Sequence, residues 1–583
     1  MNNFYTTEEN VLQLISLLKA HNIRKVIASP GTTNITFVGS IQSDPFFQVY
    51  SCIDERSAAY MACGLAEESG EPVVISCTGA TAARNYPSGL TEAYYRKLPV
   101  LAITSSQPFG RVGQLFPQFT DRNNIQNDIA TLSVQIPYPH SEEESWSNNV
   151  KINNSLLQLR RKNCGPVHIN IETSYSKEFS VKSLPSARVI RRFTEKMELP
   201  EISYKKVCVF IGSHKKFSKE LEQEIDLFCS KYNGIVLCDQ TSNYKGEFRV
   251  LGGLIAGQRE YFASCRNCDL VIHLGEISGA YFVFKNTEIW RVNSDGEVRD
   301  TFKLLTNVFE MDEIDFFKHY NNKTDSKQNT YFEEWNNEFR KLDDLVGELP
   351  LSNVWMSKQT SPILPDNSVL FLGILNSLRS WSIYDTPKSV YSYSNVGGFG
   401  IDGCLSTCVG ASLFDKNKIY FCVIGDLALF YDVNILGNRN IGPNVRILLS
   451  NNGTGYEMHC PNSTGINFSK TERDLFFSAG GHNGNKSRKL IRGIAEALGF
   501  EYISAETKEE YLSNLKHFTT PEQLEKPILF EVFVNVDDDD FAYNRTKITL
   551  TSSSSSAKKI AKDVLGEKTY QKMKNIIKKK HVL

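Results

Sequence analysis

The chain has 583 residues, 41% of them hydrophobic, and a formal net charge of −1. That length exceeds one hydrophobic core and implies about three or four domains of ~100–200 residues. The near-zero charge excludes a global field that would gather nucleic acid or anionic membrane, and no apolar stretch reaches the ~20 residues of a bilayer span. The 13 cysteines are scattered, with Cys265 and Cys268 in the only CxxC. They fit helix-turn packing in a reducing cytoplasm better than zinc or disulfides.

The N-terminus lacks a basic leader and reads as a helix, with Thr6 and Glu9 as a capping box ahead of Val11, Leu14, Ile15 and Leu18. Strands are predicted at 25–28, 49–53, 72–77, 99–104 and 167–171, alternating with helices that include 57–68. This alternation predicts a parallel-sheet domain over 1–180. A polar, less patterned stretch, 174–201, leads to a second βα-rich domain over 190–345. It holds KKVCVFIGSH, GIVLCDQ, CDLVIHLGEISG and EIWRVNS and ends in the charged helix region 331–348. Its IGSHKK is not GxGxxG, so a dinucleotide is not indicated. A third domain spans 352–545, and the DDDD run at 537–540 reads as a solvated turn. Residues 546–583 form a serine-rich linker and a lysine-rich helix, docked on the protein or simply solvated rather than lying on an anionic surface. The fold class is α/β, with three consecutive doubly wound parallel-sheet domains.

The segment KIYFCVIGDLALFYDVNILGNRNIGPNVRILLSNNGTG carries the densest chemistry. The runs 419–424 and 445–449 read as buried parallel strands, with a crossover helix over 429–440. Asp426 at the end of the first strand and Asn452, 26 residues later, supply a carboxylate and an amide oxygen. Two hard oxygens at the carboxyl ends of neighbouring strands suit Mg²⁺ bridging to a diphosphate. The plainer reading is that Asp426 caps the crossover helix and Asn451-Asn452-Gly453 is a turn. Upstream, Glu55 stands at a strand-to-helix switch, where a helix-start acid gains from the dipole.

Taken together, SPG at 29–31, IDER at 53–56, GPVHINIE at 165–172, SNVGGFGIDGCLST at 394–407 and GDLALFYDVN at 425–434 resemble the thiamine-diphosphate enzymes. The resemblance covers roughly residues 8–540 and falls in the acetolactate synthase and 2-oxo acid decarboxylase group. Within it the chain looks most like 2-succinyl-5-enolpyruvyl-6-hydroxy-3-cyclohexene-1-carboxylate synthases. It implies a pyrimidine-binding first domain, a central Rossmann-like domain and a diphosphate- and Mg²⁺-binding third domain. Glu55 would hydrogen-bond the aminopyrimidine N1′ through a protonated or proton-sharing carboxyl. Gly425, Asp426, Leu427, Ala428, Asn452 and Thr454 would cradle the diphosphate, with Asp426, Asn452 and the Thr454 carbonyl on the metal. Ile401 would hold the cofactor bent, and Gln118 would face the reacting centre. Acetolactate synthases carry a flavin in the central domain, but nothing here marks one. The family builds each site across a homodimer or tetramer, Glu55 from one subunit and Asp426 and Asn452 from the other.

The substrate contacts depart from the pattern. Thr33, Val396 and Gln107 stand where the resembling synthases have arginines that fork onto carboxylates; only Arg379 matches. Losing three charge-assisted contacts at ~1.5–3 kcal/mol each implies a less charged 2-oxo acid donor. His482, in AGGHNGNKSR, is a further candidate substrate contact. The expected reaction is decarboxylation with transfer of the acyl carbanion to an acceptor. The absence of an adjacent His-His pair favours this over simple decarboxylation releasing an aldehyde. Retention of Glu55, Asp426 and Asn452 argues against a non-catalytic thiamine-fold protein.

Overall fold

The structure is a computed structural model and describes residues 4–121, 125–162, 164–279, 282–323, 329–460, 463–482 and 487–547. The predicted lysine-rich terminal helix lies outside the described residues. Two compact units are present, Met1–Leu199 with Asp295–Glu310, and Pro200–Ser294 with Met311–Leu583. Among the described residues no helix is long and apolar enough to cross a membrane.

In the first unit six parallel strands lie in the order Gln48–Ser51, Lys25–Ala28, Val73–Thr78, Val100–Ser106, Val167–Glu172 and Leu132–Ile136. The central strands are buried along almost their whole length, which explains continuous apolar runs in place of alternation. The helix Glu55–Ser69 begins two residues earlier than the apolar pattern predicts. Asp54 caps it, accepting from Ser57 N at 2.7 Å, and Gly70 ends it at φ 65°, a conformation that favours glycine. Its small buried face, Ala58, Ala59, Ala62, Cys63 and Ala66, admits the helix Pro87–Arg96 so closely that a Cβ on Gly89 would overlap Ala59.

Two expectations fail in this unit. The Thr6–Glu9 capping box does not form: Thr6 belongs to a two-residue strand, and Glu8 occupies the cap position with no side-chain capping bond. The Glu8 carboxylate, 1% exposed, instead accepts from Thr173 Oγ1 (2.9 Å), Ser174 N (3.1 Å), Ser174 Oγ (2.9 Å) and Ser176 N (3.0 Å). The stretch 174–201 is also more than a polar link. Phe179–Val181 pairs antiparallel with Tyr5–Thr6, and Arg191–Thr194 pairs parallel with Leu305–Glu310.

The second unit holds two further parallel arrays. One runs Arg249–Leu251, Gly234–Cys238, Val207–Ile211, Leu270–Leu274 and Glu288–Val292. Cys265 and Cys268 are both buried beside it. The other runs Tyr391–Tyr393, Val369–Leu372, Tyr420–Gly425, Val445–Asn451, Ile528–Phe533 and Glu501–Ala505. Its core gathers Leu405, Cys422, Ile424, Leu429, Ile447, Leu449 and Leu529. The chain is thus α/β with three parallel arrays. The predicted 429–440 crossover helix is replaced by a short helix Asp426–Tyr431 and a 3₁₀ turn Val433–Gly437. The turn follows from Asp432, whose carboxylate leaves the helix pattern to accept from Ser406 N at 2.6 Å.

Candidate active site

Strand register brings the candidate oxygen ligands together. Ile424 pairs with Leu449 and Gly425 with Ser450, so the residues that follow, Asp426 and Asn451-Asn452, emerge side by side at the carboxyl edge. That edge is where parallel sheets place ligands. Asp426 is the first residue of its helix. The backbone N–H groups of Asp426, Leu427 and Asn452 donate towards its carboxylate. Among the described residues no basic side chain forms an ion pair with it, and it is 7% exposed. Burial therefore pushes its carboxyl up to about 7, despite those backbone donors. A buried carboxylate at a strand end with no cation beside it fits a metal ion.

Asn452 Oδ1 accepts from Thr454 N at 3.2 Å, and Asn451 Oδ1 accepts from Gly453 N at 3.1 Å. Gly453 turns the chain at φ 74°. Gly425, Asp426, Leu427, Ala428, Ile401, Asn452 and Thr454 all line one cavity of about 190 Å³. Its apolar wall includes Ile374, Leu375 and Phe477, the surroundings an aromatic or heterocyclic group requires.

Sequence reasoning missed what lies behind this wall. Asp539, one of the four aspartates read as a solvated turn, is 3% exposed on the helix Val536–Lys547. It accepts from Asn353 N at 2.7 Å, Asn353 Nδ2 at 3.0 Å, Asn376 Nδ2 at 3.4 Å and Asn452 Nδ2 at 3.5 Å. The readable signal was the helical spacing of Val536, Asp539, Tyr543 and Thr546, all buried.

Glu55 lies in the first unit, half-buried at the first turn of its helix. The buried Tyr86 phenol is raised well above its usual range by burial first and then by Cys77 and Glu55. Gln118 is exposed, at φ 66°, and lines a small 60 Å³ cavity with Gln107, Phe109 and Asn170. Thr33 is buried and its hydroxyl donates to Ser105 O at 2.7 Å. In the second unit Val396 is buried and His482 is exposed in its loop. Arg379 is already paired: its two terminal nitrogens donate to Glu457 at 2.7 and 3.0 Å.

This site defines a class, a thiamine-diphosphate-dependent enzyme, and comparison with known proteins agrees. The family described as thiamine pyrophosphate enzyme, N-terminal TPP binding domain, matches residues 11–133. The protein named 2-succinyl-5-enolpyruvyl-6-hydroxy-3-cyclohexene-1-carboxylate synthase from Bacteroides thetaiotaomicron is 32% identical over 561 residues, covering 92% of this chain and 97% of its own. Its namesake from Bacteroides fragilis is 32% identical over 562 residues, covering 92% and 98%. Another, from Phocaeicola vulgatus, is 31% identical over 561 residues, covering 92% and 97%. The chain belongs to the family of these synthases. Among solved structures, a Rhodococcus jostii RHA1 thiamine diphosphate-dependent 4-hydroxybenzoylformate decarboxylase matches 91% of this chain and 99% of its own, at 16% identity and a TM-score of 0.39.

Proposed function

We propose that this enzyme uses Mg²⁺ and thiamine diphosphate to decarboxylate a 2-oxo acid and transfer the acyl unit to an acceptor. The observation that carries it is the buried, cation-free Asp426 beside Asn452 in a partly apolar cavity. Asp426, Asn452 and the Thr454 carbonyl would hold the metal, as hard oxygens suit Mg²⁺. Bound thiamine diphosphate supplies the nucleophile and the electron sink for loss of CO₂. The chain's own residues position and protonate. Glu55 holds a proton at the pyrimidine N1′, Ile401 shapes the cofactor, and Gln118 faces the substrate. In this reading 1–180 serves the pyrimidine, 190–345 is the central domain and 352–545 serves the diphosphate. Active sites form across a homodimer or tetramer in the cytoplasm.

The donor is a lightly charged 2-oxo acid such as pyruvate. Two observations support this. Thr33 and Val396 offer no charge at two positions where the resembling synthases have arginine. Arg379, at the one position where the arginine is retained, is committed to Glu457. Calorimetric titration of thiamine diphosphate with and without Mg²⁺ tests the cofactor reading, with micromolar, metal-dependent binding expected. Release of CO₂ from a panel of 2-oxo acids, with and without added aldehyde or oxo acid acceptors, tests the reaction. Aldehyde formed at the same rate with and without every acceptor would refute ligation.

A further inference from the structure

The carboxyl edge of the first sheet carries a group of hydroxyls that none of the roles above uses. Strands Lys25–Ala28 and Val73–Thr78 send Ile27, Ile75 and Cys77 to the face covered by the helices Glu55–Ser69 and Pro87–Arg96. Ser29, two residues beyond Ile27, continues that face. Ser29 N donates to Ser76 O at 2.8 Å, which sets Ser29 beside Cys77. Both helices return over one face from parallel strands, so they run in the same direction. A Cβ on Gly89 would overlap Ala59 where they meet, and the Cys63 thiol donates to Gly89 O at 3.3 Å. One turn earlier on each helix stand Tyr86 and Glu55, which therefore share the edge with Ser29 and Cys77.

Tyr86 is 1% exposed, and its backbone carbonyl accepts from Leu90 N at 2.9 Å as its helix begins. Its ring belongs to the apolar cluster of Ala58, Ala59, Ala62 and Leu90. Its hydroxyl, however, is fully buried with no hydrogen-bond partner among the described residues, and the Ser29 hydroxyl is in the same condition. Ser29 and Cys77 lie close enough to bias the phenol without meeting the geometry of a hydrogen bond. A buried hydroxyl with no partner costs stability, and phenylalanine would fill the same volume without that cost. Burial first, then Cys77 and Glu55, hold the phenol in its neutral form, and a neutral phenol is a hydrogen-bond donor.

We infer that Tyr86 is a positioning residue for Glu55, its buried phenol donating to the Glu55 carboxylate, an inference that rests on the role proposed for Glu55 above. When the proton held by Glu55 passes to the pyrimidine N1′, an O–H bond is exchanged for an N–H bond and the carboxyl is left charged. A neutral donor fixed beside it steadies that charge, and the phenol keeps its own proton throughout. The hydroxyl that costs the cofactor-free protein stability is then satisfied in the loaded one.

The test uses the full-length protein loaded with thiamine diphosphate and Mg²⁺ and, with no substrate added, reads exchange of the cofactor's thiazolium C2 hydrogen for deuterium. Tyr86→Phe should slow that exchange about tenfold or more, within the ~10²–10⁴-fold reach of acid–base catalysis. Glu55→Gln should slow it at least as much. The double variant should be no slower than Glu55→Gln alone, because Tyr86 acts through Glu55. Two readouts need no exchange. Calorimetry should give Tyr86→Phe a cofactor affinity within about threefold of wild type, and the cofactor-free variant should melt at the wild-type temperature or higher. Near-wild-type exchange in Tyr86→Phe beside slow exchange in Glu55→Gln would overturn the inference. So would slowing that adds to that of Glu55→Gln, or a lowered melting temperature, which would make the hydroxyl structural. Wild-type exchange in Glu55→Gln, or failure of the cofactor to bind, would refute the proposed function itself and remove this inference with it.

Discussion

Replacing Asp539 by alanine removes the acceptor shared by three asparagines and tests whether Asn452, the proposed metal ligand, is held from behind. The two strong bonds come from Asn353, at 2.7 and 3.0 Å, and both donors are buried. Stranding a buried donor costs ~1–3 kcal/mol, so the loss sums to about 2–6 kcal/mol. Burial raises the Asp539 carboxyl, although the bonds from Asn353, Asn452 and Asn376 oppose it. Alanine therefore recovers part of that cost, and a net loss of about 2–3 kcal/mol is expected. Asp539→Asn keeps the volume and one acceptor oxygen, and should cost about half as much. Its consequence for the metal is more specific. The Asn452 amide, 3.5 Å from Asp539 Oδ2, loses a restraint on its orientation, and removing such an outer partner weakens metal binding about 10–100-fold. Urea unfolding reads the first effect, and thiamine diphosphate titrated at graded Mg²⁺ reads the second. A folded Asp539→Asn protein with unchanged Mg²⁺ dependence would reduce Asp539 to a structural anchor for Asn353. Unchanged stability in Asp539→Ala would refute the buried network itself.

Other outcomes follow from the same geometry. Glu55→Gln should abolish turnover while leaving thiamine diphosphate affinity within about threefold, by steady-state rates and calorimetry; a near-wild-type rate removes Glu55 from the mechanism. Asp426 sits at about 7 against an ordinary value of 3.8, so the folded state favours its neutral form. Its contribution is then full below pH 4 and is lost as pH rises through 7, on the order of 4 kcal/mol at most. Metal-free protein should lose urea resistance across that window, and Asp426→Asn should flatten the slope by about one proton. An identical pH profile in the variant would refute the shift. Glu8→Ala leaves four donors without their acceptor and should cost about 3 kcal/mol; a loss under 1 kcal/mol by urea unfolding would show that water replaces the carboxylate.

The strands were legible because burial on both faces writes continuous apolar runs into parallel sheets, and neighbours such as Val73–Thr78 and Val100–Ser106 differ from expectation only at their ends. Helix starts were less so. The polar Asp54 and Glu55 carry no apolar period, and the cap bond from Ser57 N is a matter of geometry. The four consecutive aspartates were misread because composition averages over a helix. Only Asp539 among them belongs to the buried face with Val536 and Tyr543. The pairing of Arg379 with Glu457 spans 78 residues, and no local pattern announces it. Thr33 and Val396 were legible as losses of charge.

Glu55 and Asp426 share one device, an acid at the first residue of a helix that follows a parallel strand. The helix start points backbone N–H groups at the carboxylate, which stabilises its charged form. At Asp426 burial outweighs this, since the carboxyl stands near 7 in spite of three backbone donors. A cation bound as proposed would relieve that unfavourable charge, so folding would already have met part of the desolvation cost of binding the metal. Asn452 shows the complementary arrangement. As the proposed neutral ligand it has nothing to gain from charge, and its orientation is set instead by Thr454 N in front and Asp539 behind. In the proposed metal site one residue would supply charge and the other direction, and the short strand-to-helix connection after Gly425 forces the two to the same edge. A site built this way should tolerate a change of metal that preserves octahedral oxygen coordination, such as Mn²⁺ for Mg²⁺. It should lose affinity for Ca²⁺, whose larger shell needs more protein oxygens than Asp426, Asn452 and Thr454 supply.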